Sequence, residues 1–329
     1  MSLQYLNNFR GIAILLIVFG HAVSALPAPH SPFLASLMPL FSNGTLLFVL
    51  VAGQFFVTLS ENYSYKIFLK NKLMMVVLPY LILSLPAALI YLLGLKNSHE
   101  WMDMQWFHSL NPVVAYGYLL ITGAHLGPLW FVPMILLYYL ASPVWLFFSR
   151  KNFLLPMFFL SLVLATYLGR SVDNSNSLQS ALYFLPAYLL GMYLGKHSAL
   201  LNILIPYAVW IFGICVSILL FFGQSEFFNS RWDLLIKLVL TCCLIAICMD
   251  KLNYKIKWLD LFARLSFYLF FVHGYVIGAF RMYLQHSKFH YMDIGIAVGI
   301  FISTLILCLM AYVIFKWLFQ SRSKFILGA

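Results

Sequence analysis

The chain has 329 residues, of which 63% are hydrophobic and only 9% are charged, and its mean hydropathy is +0.93. No water-soluble globular domain can bury that much apolar surface, so the composition predicts a protein that spans the lipid bilayer many times. The formal net charge of +11 does not indicate binding to nucleic acid, because the basic residues form no stripe on a soluble domain.

Apolar windows of spanning length predict an all-α membrane protein with about ten transmembrane helices in a single domain over residues 1–329, without an appended soluble domain. The apolar runs are continuous and lack the period-two alternation of a membrane β-barrel. The predicted spans are 10–26, 43–60, 73–95, 127–148, 153–169, 178–195, 201–223, 233–249, 264–284 and 292–318.

The placement of lysine and arginine predicts that both termini are cytoplasmic. With the N-terminus inside, 14 of the 20 basic residues fall in cytoplasmic segments and 6 on the opposite side. The opposite set is Lys96, Arg170, Arg231, Lys237, Arg281 and Lys288. No cleavable signal precedes the first span, which we expect to act as an uncleaved anchor.

The first span carries Arg10 and His21 in the segment FRGIAILLIVFGHA, with only apolar residues and glycine between them. Eleven residues at about 100° each make three turns plus about 20°, so both side chains lie on one helix face, about 16 Å apart. An ionisable residue at the depth of His21, near the midplane, is costly to bury and indicates a functional site. The structural alternative is a histidine that hydrogen-bonds a neighbouring helix.

The basic segment before the third span adds Lys70 and Lys72 to this picture. A cytoplasmic Arg10 can bind a phosphorylated, anionic donor through paired hydrogen bonds, and these lysines add positive potential. The long segment 96–126 is rich in aromatic residues and histidine, which suits an element at the membrane surface, and 112–123 is too short to span.

Two further groups are candidate pocket residues. His125 and Trp130 lie at the mouth of the fourth span, where anchoring at the interface is the alternative. His273 lies about nine residues into the ninth span, at a depth similar to that of His21, with Ser266 and Tyr268 as polar neighbours. One histidine can then act as a base while the other orients it or binds substrate, although a purely structural role for His273 stays open.

Other chemistries lack support in the sequence. There is no phosphate-binding loop, dinucleotide glycine pattern or nucleophile elbow. The five cysteines all fall within predicted spans and read as small buried residues, and no metal site is predicted because no ligand spacing suits one. Nothing in the sequence indicates an oligomeric state.

Four segments resemble motifs of the acyltransferase 3 family of membrane-bound acyltransferases. The most specific is NNFRGIAILLIVFGHA, in which an arginine and a histidine separated by ten residues open the first span. LFVLVAGQFF (47–56) is similar to the second-span motif of that family, HLGPLWFVPMILLYYL (125–140) to its Leu-Trp-Phe segment, and LSFYLFFVHGYV (265–276) to its late serine, tyrosine and histidine pattern.

The resemblance implies an enzyme that transfers an acyl group, most simply acetyl, from cytoplasmic acetyl-CoA to a sugar hydroxyl of a surface polysaccharide or its lipid-linked precursor. It implies a bacterial inner membrane location, with His21 as base or acyl relay and Arg10 as its essential partner. The family often has two arginines before the third-span proline, where this chain has Lys72 and Met75, and Ala52-Gly53-Gln54 stands in place of Ser-Gly-Phe. A glycan or glycolipid transporter without acyl-transfer chemistry is the alternative function.

Overall fold

The computed structural model describes residues 3–27, 31–286, 294–320 and 323–328, and every regular element in these ranges is a helix. A π-helical segment, Leu73–Val77, joins the fourth helix to the fifth, and 3₁₀ turns cover Gly127–Trp130 and Val172–Asn174. The α-helices are α1 (Gln4–Ser24), α2 (Pro32–Phe41), α3 (Thr45–Thr58), α4 (Tyr65–Lys72), α5 (Leu78–Leu92), α6 (Met104–Ser109), α7 (Pro112–Thr122), α8 (Phe131–Leu140), α9 (Ser142–Arg150), α10 (Leu154–Leu168), α11 (Ser177–Lys196), α12 (Ala199–Phe222), α13 (Ser230–Lys251), α14 (Lys257–Arg264), α15 (Ser266–His286), α16 (Ile294–Phe319) and α17 (Ser323–Leu327).

Several of these helices are long and apolar enough to cross a membrane, which confirms an all-α, multi-pass membrane protein. By length and composition, the described residues contain seven such stretches: Gln4–Ser24, Pro32–Thr58, Tyr65–Leu92, Ala199–Phe222, Ser230–Lys251, Ser266–Gln285 and Ile294–Phe319. The pair Pro112–Thr122 and Gly127–Leu140 bends by 78° and makes an eighth only if both helices form one span. The count of about ten and the orientation of the termini therefore stay predictions.

The difference in count comes from the middle of the chain. The predicted span 127–148 is interrupted between α8 and α9, and 153–169 corresponds to the 15-residue helix α10. The predicted span 178–195 corresponds to α11, which has 20 residues but is not among the seven stretches that are both long and apolar enough. At 1.5 Å per residue α10 is about 22 Å long, which is short of a hydrocarbon core of about 30 Å. Hydropathy windows detect the apolar run but not the break in the backbone.

Helix α1 lies inside the bundle, in contact with α2, α3, α13, α14, α15 and α16. Apolar side chains along it, such as Phe9, Ile14 and Val18, have no exposed surface. Arg10 and His21 of α1 both contact α15, and contact with another helix is how an ionisable side chain is accommodated inside a membrane protein.

Helices α3 and α11 approach each other closely, and the approach depends on glycine. A Cβ atom at Gly53 would overlap the carbonyl oxygen of Tyr188, and one at Gly191 would overlap the carbonyl oxygen of Leu50. Small residues that let two backbones approach commonly drive helix association in membranes. The glycine of the 47–56 segment thus has a packing role.

The sharp turn between α7 and α8 brings an aromatic side chain next to α15. Gly123 ends α7 with φ +69°, and a Cβ atom there would overlap the backbone of Trp130. The turn rests on α15 at Gly274, where a Cβ atom would lie 2.9 Å from Cδ of Pro128. Trp130 is therefore positioned beside the helix that carries His273.

Candidate functional site

Helices α1 and α15 meet at two polar positions. At one, Nη2 of Arg10 donates a 2.8 Å hydrogen bond to Oγ of Ser266; at the other, the rings of His21 and His273 lie with their centroids 5.1 Å apart. Ser266 and His273 are seven residues apart, so they share a face of α15 and are about 10 Å apart along it. The structure thus brings four of the predicted site residues onto one seam between two helices.

His273 is the inner of the two histidines. Its side chain is completely buried, and its Nδ1 lies 2.7 Å from the carbonyl oxygen of Leu269. Because a carbonyl oxygen can only accept, Nδ1 carries the proton and Nε2 keeps its lone pair. Nε2 is buried without a hydrogen-bond partner among the described residues. A second ring can therefore donate to Nε2 without any rearrangement of His273.

His21 is the outer histidine and reaches a cavity of about 680 Å³. It lies three residues before the end of α1, and its side chain is half-buried. The cavity extends from His21 to the junction of α2 and α3 and to the segments that precede α11 and α13. Of the two histidines, His21 is the one that a molecule in the cavity can contact directly, because His273 does not line it.

A buried polar network supports the far wall of this cavity. Nζ of Lys237 lies 2.7 Å from Oδ1 of Asp233, and Nδ2 of Asn43 donates to Oδ2 of the same carboxylate at 2.8 Å. Lys237 also donates to the carbonyl oxygen and the hydroxyl of Ser42, and Tyr183 accepts from Asn43 at 3.2 Å. Asn43 has φ +61°, a conformation that asparagine tolerates better than most residues. The network ties the junction of α2 and α3 to α13.

At the other end of α1, basic side chains lie on aromatic rings. The guanidinium of Arg10 lies 5.7 Å from the ring centroid of Phe55, and Nζ of Lys72 lies 4.7 Å from that of Tyr139. Arg10 and Lys72 are close enough to interact electrostatically. Lys70 is exposed at the end of α4. Neither Arg10 nor Lys72 forms an ion pair with a carboxylate of the described residues, so the two cations form a site suited to an anion.

The remaining predicted pocket residues separate into two groups. Trp130 lines the cavity with His21 and stacks on Phe184, with ring centroids 5.7 Å apart. His125 is buried and bonds through Nδ1 to the carbonyl oxygen of Leu119, outside the residues that line the cavity. Tyr268 donates to the carbonyl oxygen of Cys308 on α16, so it faces away from the seam.

Several residues of the cavity were not singled out from the sequence, namely Asn43, Arg170, Tyr183, Asp233 and Arg281. One signal was present: Asp233 and Lys237 are four residues apart at the start of an otherwise apolar span, which is the spacing of an ion pair on one helix face. Arg170 and Arg281 were visible only as exceptions to the positive-inside pattern.

The arrangement combines imidazoles suited to proton transfer with a separate site suited to an anion. It provides a neutral acceptor nitrogen at His273, a cavity-facing imidazole at His21, and a cationic site further along the same seam, about 10 Å away along α15 and about 16 Å away along α1. Among the residues that the structure describes, no group of three or more histidine, cysteine, aspartate or glutamate side chains is placed to hold a metal ion.

Comparison with known proteins gives one informative match. The acyltransferase 3 family model, described as an acyltransferase domain, matches residues 3–313, which is nearly the whole chain and includes every residue of the seam. Comparison with curated proteins and with solved structures gives no significant match.

Proposed function

The chain belongs to the acyltransferase 3 family, and from that membership we propose that it moves an acyl group, in the first instance acetyl, from cytoplasmic acyl-CoA to a sugar hydroxyl. The acceptor in this proposal is a surface polysaccharide or its lipid-linked precursor at a bacterial inner membrane. The observation that carries it is the seam between α1 and α15, where a cationic site and a pair of histidines lie on the same helix faces.

The donor site in this proposal is the cluster of Arg10 and Lys72. Coenzyme A carries phosphates, which a guanidinium binds by paired hydrogen bonds and an ammonium binds as a point charge. Exposed Lys70 adds to the attraction at the rim. With the N-terminus in the cytoplasm, as the distribution of basic residues predicts, this site faces the cytoplasmic pool of acyl-CoA. The long thioester arm then extends along the seam towards His21.

The reaction at His21 is a direct transfer. The imidazole accepts the proton of the acceptor hydroxyl while the hydroxyl oxygen attacks the thioester carbonyl. The new C–O ester bond forms, the C–S bond breaks, and the departing thiolate takes the proton to leave as the free thiol of CoA. His273 acts as a positioning residue, because its Nε2 can accept a hydrogen bond from His21 and hold the other imidazole nitrogen towards the hydroxyl.

The acceptor site in this proposal is the cavity, which opens at the end of α1 opposite Arg10. Its volume of about 680 Å³ is within the range of small-molecule sites and large enough for one or two sugar units. Trp130 offers an aromatic face of the kind that stacks on sugar rings. Donor and acceptor therefore reach His21 from opposite ends of one helix.

The test uses purified protein, radiolabelled acetyl-CoA and a membrane extract containing lipid-linked glycans. We expect release of CoA and labelling of the glycan fraction with the wild-type protein. His21→Ala should reduce both by about 100-fold or more, the usual contribution of a general base. His197→Ala is the matched control, because His197 is exposed at the end of α11.

Two results would overturn the assignment. Unchanged acetylation by His21→Ala would remove His21 from the reaction. Movement of an unmodified glycolipid across proteoliposomes without CoA release would favour a transporter that uses the same cavity. Loss of labelling with Arg10→Ala that is overcome by raising the acetyl-CoA concentration would support the donor site.

A further inference from the structure

Two arginines line the cavity that His21 faces, although both lie on the side of the protein where basic residues are rare. Arg170 precedes the Val172–Asn174 turn, and Arg281 lies near the end of α15. They belong to the six basic residues that the predicted topology places opposite the cytoplasm. Lysine and arginine are normally enriched in cytoplasmic segments, so two arginines in one cavity on the opposite side indicate a functional role.

The two carboxylates near these arginines, those of Asp233 and Asp173, do not form ion pairs with them. Both oxygens of Asp233 have partners, Oδ1 with Lys237 and Oδ2 with Asn43. Asp173 is exposed, and neither arginine forms an ion pair with any carboxylate of the described residues. The cavity therefore contains two guanidinium groups whose charge is not neutralised by direct contact with an acid.

Arg170 is held in place but leaves its terminal nitrogens available. Its guanidinium lies 5.8 Å from the ring centroid of Trp130, and its Nε donates to Oδ1 of Asn174 at 3.0 Å. Burial lowers the pKa of this guanidinium below its ordinary value, while Tyr183 and the two nearby aspartates act in the opposite direction. Arginine nevertheless stays protonated in proteins, so a desolvated guanidinium gains from a bound anion.

Arg281 stands at the rim of the same cavity. It is exposed, and its one hydrogen bond to a described residue is a long one, 3.3 Å from Nη2 to the carbonyl oxygen of Ser24. Ser24 is three residues beyond His21, so the guanidinium lies over the end of α1 that carries the base. Both arginines are close enough to His21 to act on its electrostatics.

We propose that the acceptor is acidic, and that Arg170, assisted by Arg281, binds an oxyanion of the acceptor while the sugar ring that carries this group packs on Trp130 beside His21. This rests on the proposed function and narrows its substrate class. The oxyanion can be a carboxylate on a sugar, a phosphate within the glycan or the diphosphate of a lipid carrier. In each case the guanidinium can donate two parallel hydrogen bonds to the oxygens of the oxyanion.

The experiment measures binding rather than turnover. Equilibrium dialysis with labelled methyl glucuronide and methyl glucoside compares two sugars that differ only in the carboxylate. Competition by glucose 1-phosphate and by farnesyl diphosphate, with farnesol as the neutral counterpart, distinguishes a glycan phosphate from a lipid diphosphate. The variants are Arg170→Gln, Arg170→Lys and Arg281→Gln. Arg231→Gln is the matched control, since Arg231 is exposed on the same predicted side but does not line the cavity.

We expect at least one acidic probe to bind about tenfold or more tightly than its neutral counterpart. Arg170→Gln should abolish that preference, Arg170→Lys should retain part of it, and Arg281→Gln should weaken it by a smaller factor. Arg231→Gln should leave it unchanged. Equal binding of acidic and neutral probes by the wild-type protein, or a preference that survives Arg170→Gln, would overturn the proposal.

The two proposals fail in different ways. If acidic probes bind through Arg170 but no acetyl group is transferred, the proposal of an acidic ligand stands. The proposal that His21 catalyses acyl transfer is then wrong. If acetyl transfer depends on His21 but neutral and acidic probes bind alike, the enzyme proposal stands and the acidic acceptor does not.

Discussion

Removal of Asp233 should destabilise the protein strongly, because it would leave a buried ammonium without its counterion. Nζ of Lys237 is 2.7 Å from the carboxylate, and the exposed fractions of the two side chains are 6% for the lysine and 12% for the aspartate. In Asp233→Asn the ammonium loses its counterion and keeps only neutral oxygen acceptors, among them the carbonyl oxygen and hydroxyl of Ser42. Breaking one side of a buried pair costs about 3–5 kcal/mol, and we expect that loss in the free energy of unfolding.

Replacement of Lys237, the other member of the ion pair, should lower the free energy of unfolding by a smaller amount. In Lys237→Met the carboxylate of Asp233 keeps the hydrogen bond from Asn43 and still borders the cavity, where water can reach it. We expect a loss of about 1–3 kcal/mol. The double variant removes both charges and leaves none unpaired, so it should be more stable than Asp233→Asn alone and within about 2 kcal/mol of the wild type.

The assay is equilibrium unfolding in mixed micelles of mild detergent and sodium dodecyl sulfate, followed by circular dichroism. Asp250→Asn is the matched control, because Asp250 and Lys251 form a 2.9 Å ion pair whose side chains are 37% and 70% exposed. That substitution should cost less than about 1 kcal/mol. The reasoning is refuted if Asp233→Asn is no more destabilising than the control, or if the double variant is as unstable as the single one.

Three further predictions concern the seam and the helix packing. His273→Ala should lower the rate of labelled acetyl transfer by about tenfold to hundredfold while leaving His21 in place, and an unchanged rate would remove His273 from the positioning role. Ser266→Ala removes the hydroxyl that receives the Arg10 guanidinium and should raise KM for acetyl-CoA severalfold with little change in kcat, whereas an effect on kcat alone would contradict a donor-binding role. Gly191→Ala should lower the unfolding midpoint in the same micelles, because its Cβ would overlap a carbonyl oxygen of α3, while Gly213→Ala, with open space around it, should not.

The local features of this protein were accessible from its sequence, because they depend on helix geometry and hydropathy. The 3.6-residue period predicts that Arg10 and His21 share a face, and α1 extends over both. Counting residues from the predicted cytoplasmic end gave His273 a depth similar to that of His21, and the structure has the two rings 5.1 Å apart. Both inferences use distances along a single helix.

Features that depend on contacts between distant segments were not accessible in this way. Asn43 is 190 positions from Asp233, and no period or spacing in the sequence links them. The same holds for the backbone break after α8, which a hydropathy window averages away. Proximity in sequence predicts that His125 and Trp130 share a site, yet only Trp130 lines the cavity, since the turn between them redirects the chain.

The pairing of Arg10 with Ser266 joins residues 256 positions apart, and this has a consequence for how the protein is made. During synthesis the first helix enters the membrane long before the helix that completes the seam, so the nascent chain holds its arginine and histidine without their partners for most of translation. The seam is complete only after α15 docks against α1, which is a late step of synthesis. Chains that stall or are cleaved before that step lack the complete seam, so in the proposed mechanism the activity of each molecule depends on completion of its own insertion.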